Sequence, residues 1–227
     1  MQLSQRQTRE SGRDYALRTI KENIVSLDLA PGSPISENEL AAELGLSRTP
    51  VREALIELAK VKIVEITPQK KSLVAPIDYE LVEESRFMRN VLECAVVELA
   101  CEMADAQDIQ RLRENIQLQN FYLDNFNPQQ IMALDNDFHR TLFEIARKSQ
   151  VYQLINTISI HFDRVRSMAL SSVKDIKIVQ DHAQITDAIA LADASQVRRL
   201  MEKHLARYKF DAAAVRQQYP QYFSDQS

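Results

Sequence analysis

The stretch 35–59, ISENELAAELGLSRTPVREALIELA, constrains the fold most strongly because it places two helical patterns on either side of one glycine. The first apolar face, at the spacing of an α-helix, consists of Leu40, Ala41 and Leu44. Gly45 then supplies the residue type at which helices commonly end. Ser47 suits an N-cap. The second apolar face consists of Val51, Ala54, Leu55 and Leu58. The stretch therefore predicts two short helices joined by a tight turn.

The second of these helices begins with hydroxyl and guanidinium side chains, which are Ser47, Arg48, Thr49 and Arg52. A helix, a glycine turn and a second helix with this start have the organisation of a helix-turn-helix. Such side chains contact phosphate oxygens and guanine edges, and the helix N-terminus favours phosphate. We therefore expect these four residues to contact DNA. The alternative is an ordinary amphipathic helical hairpin.

Residues 29–74 resemble the winged helix-turn-helix of GntR-type bacterial transcription regulators. The resemblance lies in the motif APG, six further residues, EL and then LSRTPVREAL. That family reads near-palindromic operators as a dimer, so the resemblance implies a homodimer with double-stranded DNA as its partner. Asn38 stands where the family often has a basic residue, and we include it among the expected DNA contacts.

A β-hairpin wing is predicted after the second helix, because β-rich runs at 63–67 and 72–74 flank Pro68-Gln69-Lys70-Lys71. Lys70 and Lys71 at its tip are expected to contact phosphate or the minor groove. Lys71 stands where the family usually has a glycine, so the turn of this wing departs from the family pattern.

The length of 227 residues allows two modest domains. The formal net charge is −4, yet residues 1–76 hold eleven Lys and Arg against ten Asp and Glu. The acidic excess therefore belongs to the rest of the chain. Any attraction to DNA must come from a local basic patch and not from the field of the whole molecule.

Cys94 and Cys101 are seven residues apart in one predicted helix. At a rise of ~1.5 Å per residue their Cα atoms lie ~10 Å apart, which is beyond disulfide reach. We expect reduced core thiols, which suit a cytoplasmic protein. No apolar run approaches the ~20 residues that span a membrane, and the N-terminus lacks the apolar core of a signal peptide.

Everything after the short linker 77–79 has helical periodicity. The predicted helices are 80–105, 107–124, 128–148, 151–171, 174–191 and 194–214. Short polar breaks between them favour an antiparallel bundle. The fold class expected is therefore mostly α, with a winged helix-turn-helix and its small β wing at 1–76 and an all-α six-helix bundle at 77–227.

Four residues in the bundle are candidates for metal binding. Asp135 and His139 are spaced i and i+4, and apolar neighbours place that face toward the interior. His182 and His204 lie on the fifth and sixth predicted helices. One carboxylate and three imidazoles form a plausible set of ligands for a divalent transition metal. Spacing alone leaves open that they are hydrogen-bonded core residues.

Residues 81–208 are similar to the FCD ligand-binding domain of one branch of these regulators, through RNVLECAVVELA, DNDFHRTLF, DHAQITDAI and RRLMEKHLAR. The resemblance implies that Asp135, His139, His182 and His204 bind a metal, commonly zinc, nickel or manganese. His161 matches no ligand position and is interpreted as a packed or surface histidine.

Arg89 stands in the R-x-x-L-E pattern of the FCD domain and is expected to face the same cavity. A guanidinium can bind a carboxylate through two parallel hydrogen bonds, so the expected effector is a small organic acid. The alternative is an ion pair between Arg89 and Glu93, which lies four residues further on.

The expected function is that of a ligand-responsive transcription regulator. A repressor is expected, because repression relieved by a ligand is the commoner arrangement. The rival is a metal-dependent hydrolase or lyase with Asp137 or Asp181 as general base. Both carboxylates have another explanation, since they could orient a ligating imidazole. A third interpretation makes the metal purely structural, in which case its removal would unfold the bundle.

Overall fold

The structure, a computed structural model, describes residues 1–67, 72–172, 176–206 and 214–224. It is mostly helical with one small sheet, which confirms the predicted fold class. The chain divides into two compact units. Unit 1 comprises Met1–Val82, Ile160–Arg164 and Arg216–Ser227, and unit 2 comprises Glu83–Ser159 and Val165–Val215. The predicted domain boundary at residue 76 remains a prediction.

The first 76 residues, all of which belong to unit 1, contain three helices and three short strands among their described residues. The helices are α1 (Gly12–Val25), α2 (Glu37–Leu44) and α3 (Arg48–Lys60), and the strands are β1 (Pro34–Ile35), β2 (Val64–Glu65) and β3 (Ser72–Val74). The strands form an antiparallel sheet in the order β1-β3-β2. Strand β1 was not predicted, because two residues are too few to produce a period. Lys70 and Lys71 lie outside the described residues.

The helix-turn-helix forms where the sequence predicts it. Ser36 caps α2 by accepting a hydrogen bond from the backbone N–H of Glu39 at 3.4 Å. Gly45 ends α2 with a φ of 64°, a left-handed conformation that costs a glycine little. Ser47 is the N-cap residue of α3. The apolar faces of α1 and α3 share one core, which includes Ile20, Ile24, Val51, Ala54 and Leu55.

The helices after the sheet are α4 (Tyr79–Met103), α5 (Ala106–Asp124), α6 (Pro128–Ile145), α7 (Ser149–Ile158), α8 (Ile160–Ser172), α9 (Ile176–Ala190) and α10 (Ala194–Ala206). Their starts follow local signals. Asp105 and Asp108 form a capping box at α5, and Asn127 caps α6 with Pro128 in its first turn.

The predicted fourth helix, 151–171, is divided into α7 and α8 at Ser159. Neither proline nor glycine occurs there, so this break carries no local signal. At the break a distant residue binds the backbone, since the hydroxyl of Ser85 donates to the carbonyl oxygen of Ile158 at 2.6 Å. Between residues 79 and 206 the described residues therefore form seven α-helices, where the sequence predicts six helices in all.

None of the helices in the described ranges is both long enough and apolar enough to cross a bilayer.

Both cysteines are buried and free of disulfide bonds, as predicted. Burial, with a smaller contribution from the charge of Glu202, raises the pKa of Cys94 to about 12, and burial also raises the pKa of Cys101. The rise lowers the thiolate fraction of Cys94 at pH 8 by about a thousandfold relative to a free thiol.

We expect a disulfide reagent that reacts with thiolates to label neither Cys94 nor Cys101 in the native protein and both in guanidinium chloride. Rapid labelling of two thiols under native conditions would contradict these positions.

Candidate functional site

Three helices of unit 2 bring the predicted metal ligands together. Asp135 and His139 come from α6, His182 from α9 and His204 from α10, and all four side chains are buried. One candidate ligand atom from each residue lies within 4.8 Å of those from the other three. The i, i+4 spacing places Asp135 and His139 on one face of α6, whereas His182 and His204 reach them only because α9 and α10 pack into the same bundle.

The Nε2 atoms of the histidines point toward the centre of this cluster. His204 Nε2 lies 3.2 Å from His139 Nε2, and His182 Nε2 lies 3.5 Å from Asp135 Oδ1. His139 Nε2 is 3.9 Å from Asp135 Oδ2. Three nitrogens and a carboxylate oxygen thus converge on one small volume.

The Nδ1 atoms face outward toward oxygen acceptors. His139 Nδ1 lies 2.5 Å from Glu93 Oε2, and His182 Nδ1 lies 2.9 Å from Gln119 Oε1. His204 Nδ1 is 3.7 Å from Asp181 Oδ2. Histidines that bind metals usually donate their other ring nitrogen to such an oxygen. Asp181 was proposed for this position from the sequence, but Glu93 and Gln119 were not.

Two buried arginines balance the carboxylates. Arg166 forms an ion pair with Asp135 Oδ2, and Arg89 Nε donates to Glu93 Oε1 at 2.6 Å. Burial by itself would raise the pKa of Asp135 and of Glu93, but these guanidinium groups and the nearby histidines lower both pKa values well below the usual range. Both acids are therefore carboxylates at neutral pH.

Burial acts in the opposite direction on His182 and His204. It lowers the pKa of His182 well below the usual value, with His204 adding to the effect, and it also lowers the pKa of His204. Neutral imidazoles carry the lone pairs that metal ligation requires.

Among the buried atoms of the described residues that make no hydrogen bond are Asp135 Oδ1 and His182 Nε2, which lie 3.5 Å apart. A buried polar atom without a hydrogen-bond partner costs ~1 to 3 kcal/mol of folding free energy, so two such atoms side by side need an explanation. A divalent transition metal would satisfy both atoms at once, because imidazole nitrogen and carboxylate oxygen are ligands that it accepts. The residues present therefore fit a metal ion of this class.

The remaining residues singled out around the bundle have other contacts. Arg89 pairs with Glu93, which is the alternative considered from the sequence. Asp137 accepts a hydrogen bond from Asn115 at 3.0 Å and pairs with Arg140, so it does not contact an imidazole directly. His161 is a packed histidine in unit 1, with its Nε2 2.7 Å from the carbonyl oxygen of Val61.

The residues expected to contact DNA are exposed at the start of the second helix of the helix-turn-helix. They are Ser47, Arg48, Thr49 and Arg52, with Asn38 exposed on α2. The side chain of Arg48 is 68% exposed and lies 3.6 Å from Glu37 Oε2. The first turn of α3 contains no acidic residue, and the hydroxyl of Ser47 makes no capping hydrogen bond. This helix N-terminus thus presents donors and positive charge to solvent.

Comparison with known proteins adds an independent finding. Residues 15–74 match the family of bacterial regulatory proteins of the gntR family, and residues 84–207 match the FCD domain. The chain is 31% identical to the HTH-type transcriptional repressor RspR of Escherichia coli K12 over 92% of each chain. It is also 31% identical to an HTH-type transcriptional regulator in an unstable DNA locus of Streptomyces ambofaciens, over 98% of this chain and 93% of that one.

The solved structure of E. coli McbR/YncC has the same fold, with a TM-score of 0.79 and 20% identity, over 92% of this chain and 99% of that one. The families and relatives found are transcription regulators and not enzymes, which removes the hydrolase or lyase interpretation. With both domain matches in place, the chain belongs to the GntR family of bacterial transcription regulators, in the branch that carries an FCD domain.

Proposed function

We propose that this regulator is a repressor that binds a near-palindromic operator as a homodimer and is controlled by a small carboxylate. In this proposal the FCD domain holds one divalent transition metal, either zinc, nickel or manganese. The observation that carries the proposal is the buried cluster of Asp135, His139, His182 and His204, with ligand atoms within 4.8 Å of one another.

The metal would be held by the Nε2 atoms of the three histidines and by a carboxylate oxygen of Asp135. When bound, the ion supplies a Lewis-acidic position for an oxygen ligand. Glu93 Oε2, 2.5 Å from His139 Nδ1, is the acceptor that would hold His139 in the orientation that binding needs. The ion also neutralises a site in which Asp135 Oδ1 otherwise has no partner among the described residues.

DNA recognition is assigned to the N-terminus of α3. Arg48 and Arg52 are long enough to reach guanine edges, while Ser47, Thr49 and Asn38 donate to phosphate oxygens. Lys70 and Lys71 add phosphate contacts from the wing. In a dimer, two such helices would enter successive major grooves about one helical turn apart.

The effector is assigned to the side of the metal site on which Arg89 lies. Arg89 and Glu93 are buried together, and Glu93 is also 2.5 Å from His139. An incoming carboxylate could therefore bind the guanidinium beside the metal. Repression is favoured over activation because the similar E. coli protein RspR is named a repressor. The effector must bind one DNA-binding state better than the other, since equal affinity would shift nothing.

One combined experiment tests this function. The purified protein is first analysed for bound metal. Sequences that it binds are then selected from a pool of random duplex DNA. Finally, small carboxylic acids are screened by thermal shift with and without a chelator. We expect about one metal per chain, an inverted-repeat site, and an acid that raises Tm only in the metal-loaded protein and weakens DNA binding. A ligand at 100 times its Kd stabilises by ~2.7 kcal/mol. Failure to select any DNA site would overturn the proposal, whereas unfolding on chelation without any stabilising acid would make the metal structural.

Arg89→Lys tests the effector assignment. The substitution keeps the positive charge beside Glu93 but removes the fork that binds a carboxylate through two hydrogen bonds. We expect affinity for the acid found in the screen to fall by ~1.5 to 3 kcal/mol, as for hydrogen bonds to charged groups. Metal content should not change. Exposed Arg113→Lys, on α5, is the control and should bind the acid as the wild type does. Equal affinity in both variants would remove Arg89 from the effector site.

A further inference from the structure

A chain of hydrogen bonds runs from His182 to a carboxylate on α6. His182 Nδ1 lies 2.9 Å from Gln119 Oε1, and Gln119 Nε2 donates to Asn115 Oδ1 at 2.6 Å. Asn115 Nδ2 donates to Asp137 Oδ2 at 3.0 Å and to the carbonyl oxygen of Leu134 at 3.1 Å. Gln119 is fully buried and Asn115 is 6% exposed, so both amides depend on these partners.

The acceptors at the far end fix the direction of the whole chain. The Asp137 carboxylate and the Leu134 carbonyl only accept hydrogen bonds, so Asn115 must present its NH₂ group to them. Its oxygen then faces Gln119, which must donate through Nε2 and therefore turns Oε1 toward His182. Because Oε1 only accepts, His182 Nδ1 must carry the proton, and the lone pair of Nε2 faces Asp135 Oδ1 at 3.5 Å.

The opposite tautomer is disfavoured by the same geometry. A proton on His182 Nε2 could be donated to Asp135, but Nδ1 would then need a donor from Gln119. Turning the Gln119 amide would place its oxygen against the Asn115 oxygen. Turning the Asn115 amide as well would place the Asn115 oxygen against the Asp137 carboxylate. Each rearrangement leaves two acceptor oxygens facing each other without a proton between them, and at least one of the two belongs to a buried amide.

We propose that Gln119 is the positioning residue that holds His182 in its Nδ1–H tautomer with Nε2 directed at the metal, and that Asn115 and Asp137 set the orientation of Gln119. The proposal rests on the metal site argued above. It differs from the arrangement at His139, where the acceptor is Glu93, a carboxylate balanced by Arg89. At His182 the acceptor is a neutral amide, which needs no buried cation to balance it.

The test combines tautomer and metal measurements on the full-length protein. Long-range ¹H–¹⁵N NMR of the metal-free wild type should show His182 as the Nδ1–H tautomer. Zn²⁺ affinity is measured by competition with a chromogenic chelator. Gln119→Leu, which cannot accept, should lose about 10- to 100-fold in Zn²⁺ affinity. Its His182 should show a mixture of tautomers. Gln119→Glu still accepts from His182 Nδ1 but cannot donate to Asn115, so it should keep the Nδ1–H tautomer and lose less Zn²⁺ affinity than Gln119→Leu.

The control is Gln117→Leu, an exposed position two residues away on the same helix, and it should bind Zn²⁺ as the wild type does. An Nε2–H tautomer of His182 in the wild type would overturn the proposal, and so would unchanged Zn²⁺ affinity in Gln119→Leu. If Gln119→Leu does not fold, the tautomer of His182 in the wild type and in Gln119→Glu tests the proposal. A wild type that binds no Zn²⁺ at all would contradict the metal site itself, a result distinct from failure of the Gln119 proposal alone.

Discussion

His139→Ala should abolish stoichiometric metal binding. His139 occupies the centre of the cluster, since its Nε2 lies 3.2 Å from His204 Nε2 and 3.9 Å from Asp135 Oδ2. Alanine removes one of four ligands and leaves Glu93 without the imidazole 2.5 Å away. The loss should exceed the 10- to 100-fold that removal of an outer partner typically costs. Metal content after gel filtration and Zn²⁺ competition titration would measure it.

A second readout separates metal loss from unfolding. A ligand that binds only the folded state raises stability, so a chelator should lower the Tm of the wild type and leave that of His139→Ala unchanged. His161→Ala is the matched control, because His161 is also a buried histidine but lies outside the cluster. It should retain metal. If His139→Ala kept one ion per chain, the site would lie elsewhere.

Arg52→Ala should weaken operator binding by ~1 to 3 kcal/mol if its side chain reads a guanine, and the same holds for Arg48→Ala. Both residues are exposed in the first turns of α3, where the helix N-terminus favours phosphate. Arg48 must first leave Glu37, which lies 3.6 Å away, but an exposed pair of this kind contributes little.

The salt dependence of binding distinguishes an arginine that reads a base from one that binds only phosphate. Removal of a phosphate-binding arginine should reduce the slope of log K against log salt by about one and weaken all sequences alike. Removal of an arginine that reads a base should relax specificity at one position. Lys60→Ala, at the opposite end of α3 and paired with Glu57, is the control and should leave affinity unchanged. Operator affinity unchanged in both arginine variants would remove α3 as the recognition helix.

Local features of the fold were predictable because their causes are close in sequence. Gly45 ends α2 and Ser47 begins α3, since capping depends on a few neighbouring residues. Two of the candidate metal ligands were also predictable as neighbours, because their i, i+4 spacing places Asp135 and His139 on one face of α6. The division of the fourth predicted helix was not predictable. The residue that donates to the Ile158 carbonyl oxygen at the break is Ser85, which is 73 residues away in the sequence.

The sequence by itself determined where the helix-turn-helix lies, which residues its exposed face presents, and which four side chains are suited to a metal. Only the tertiary structure decided that Glu93 and Gln119 lie beside the Nδ1 atoms of His139 and His182 and that Arg166 pairs with Asp135. The physical reason is distance along the chain. Helical periodicity and caps follow from covalent geometry over a few residues, whereas Gln119 and His182 are 63 residues apart and meet only when α5 and α9 pack together.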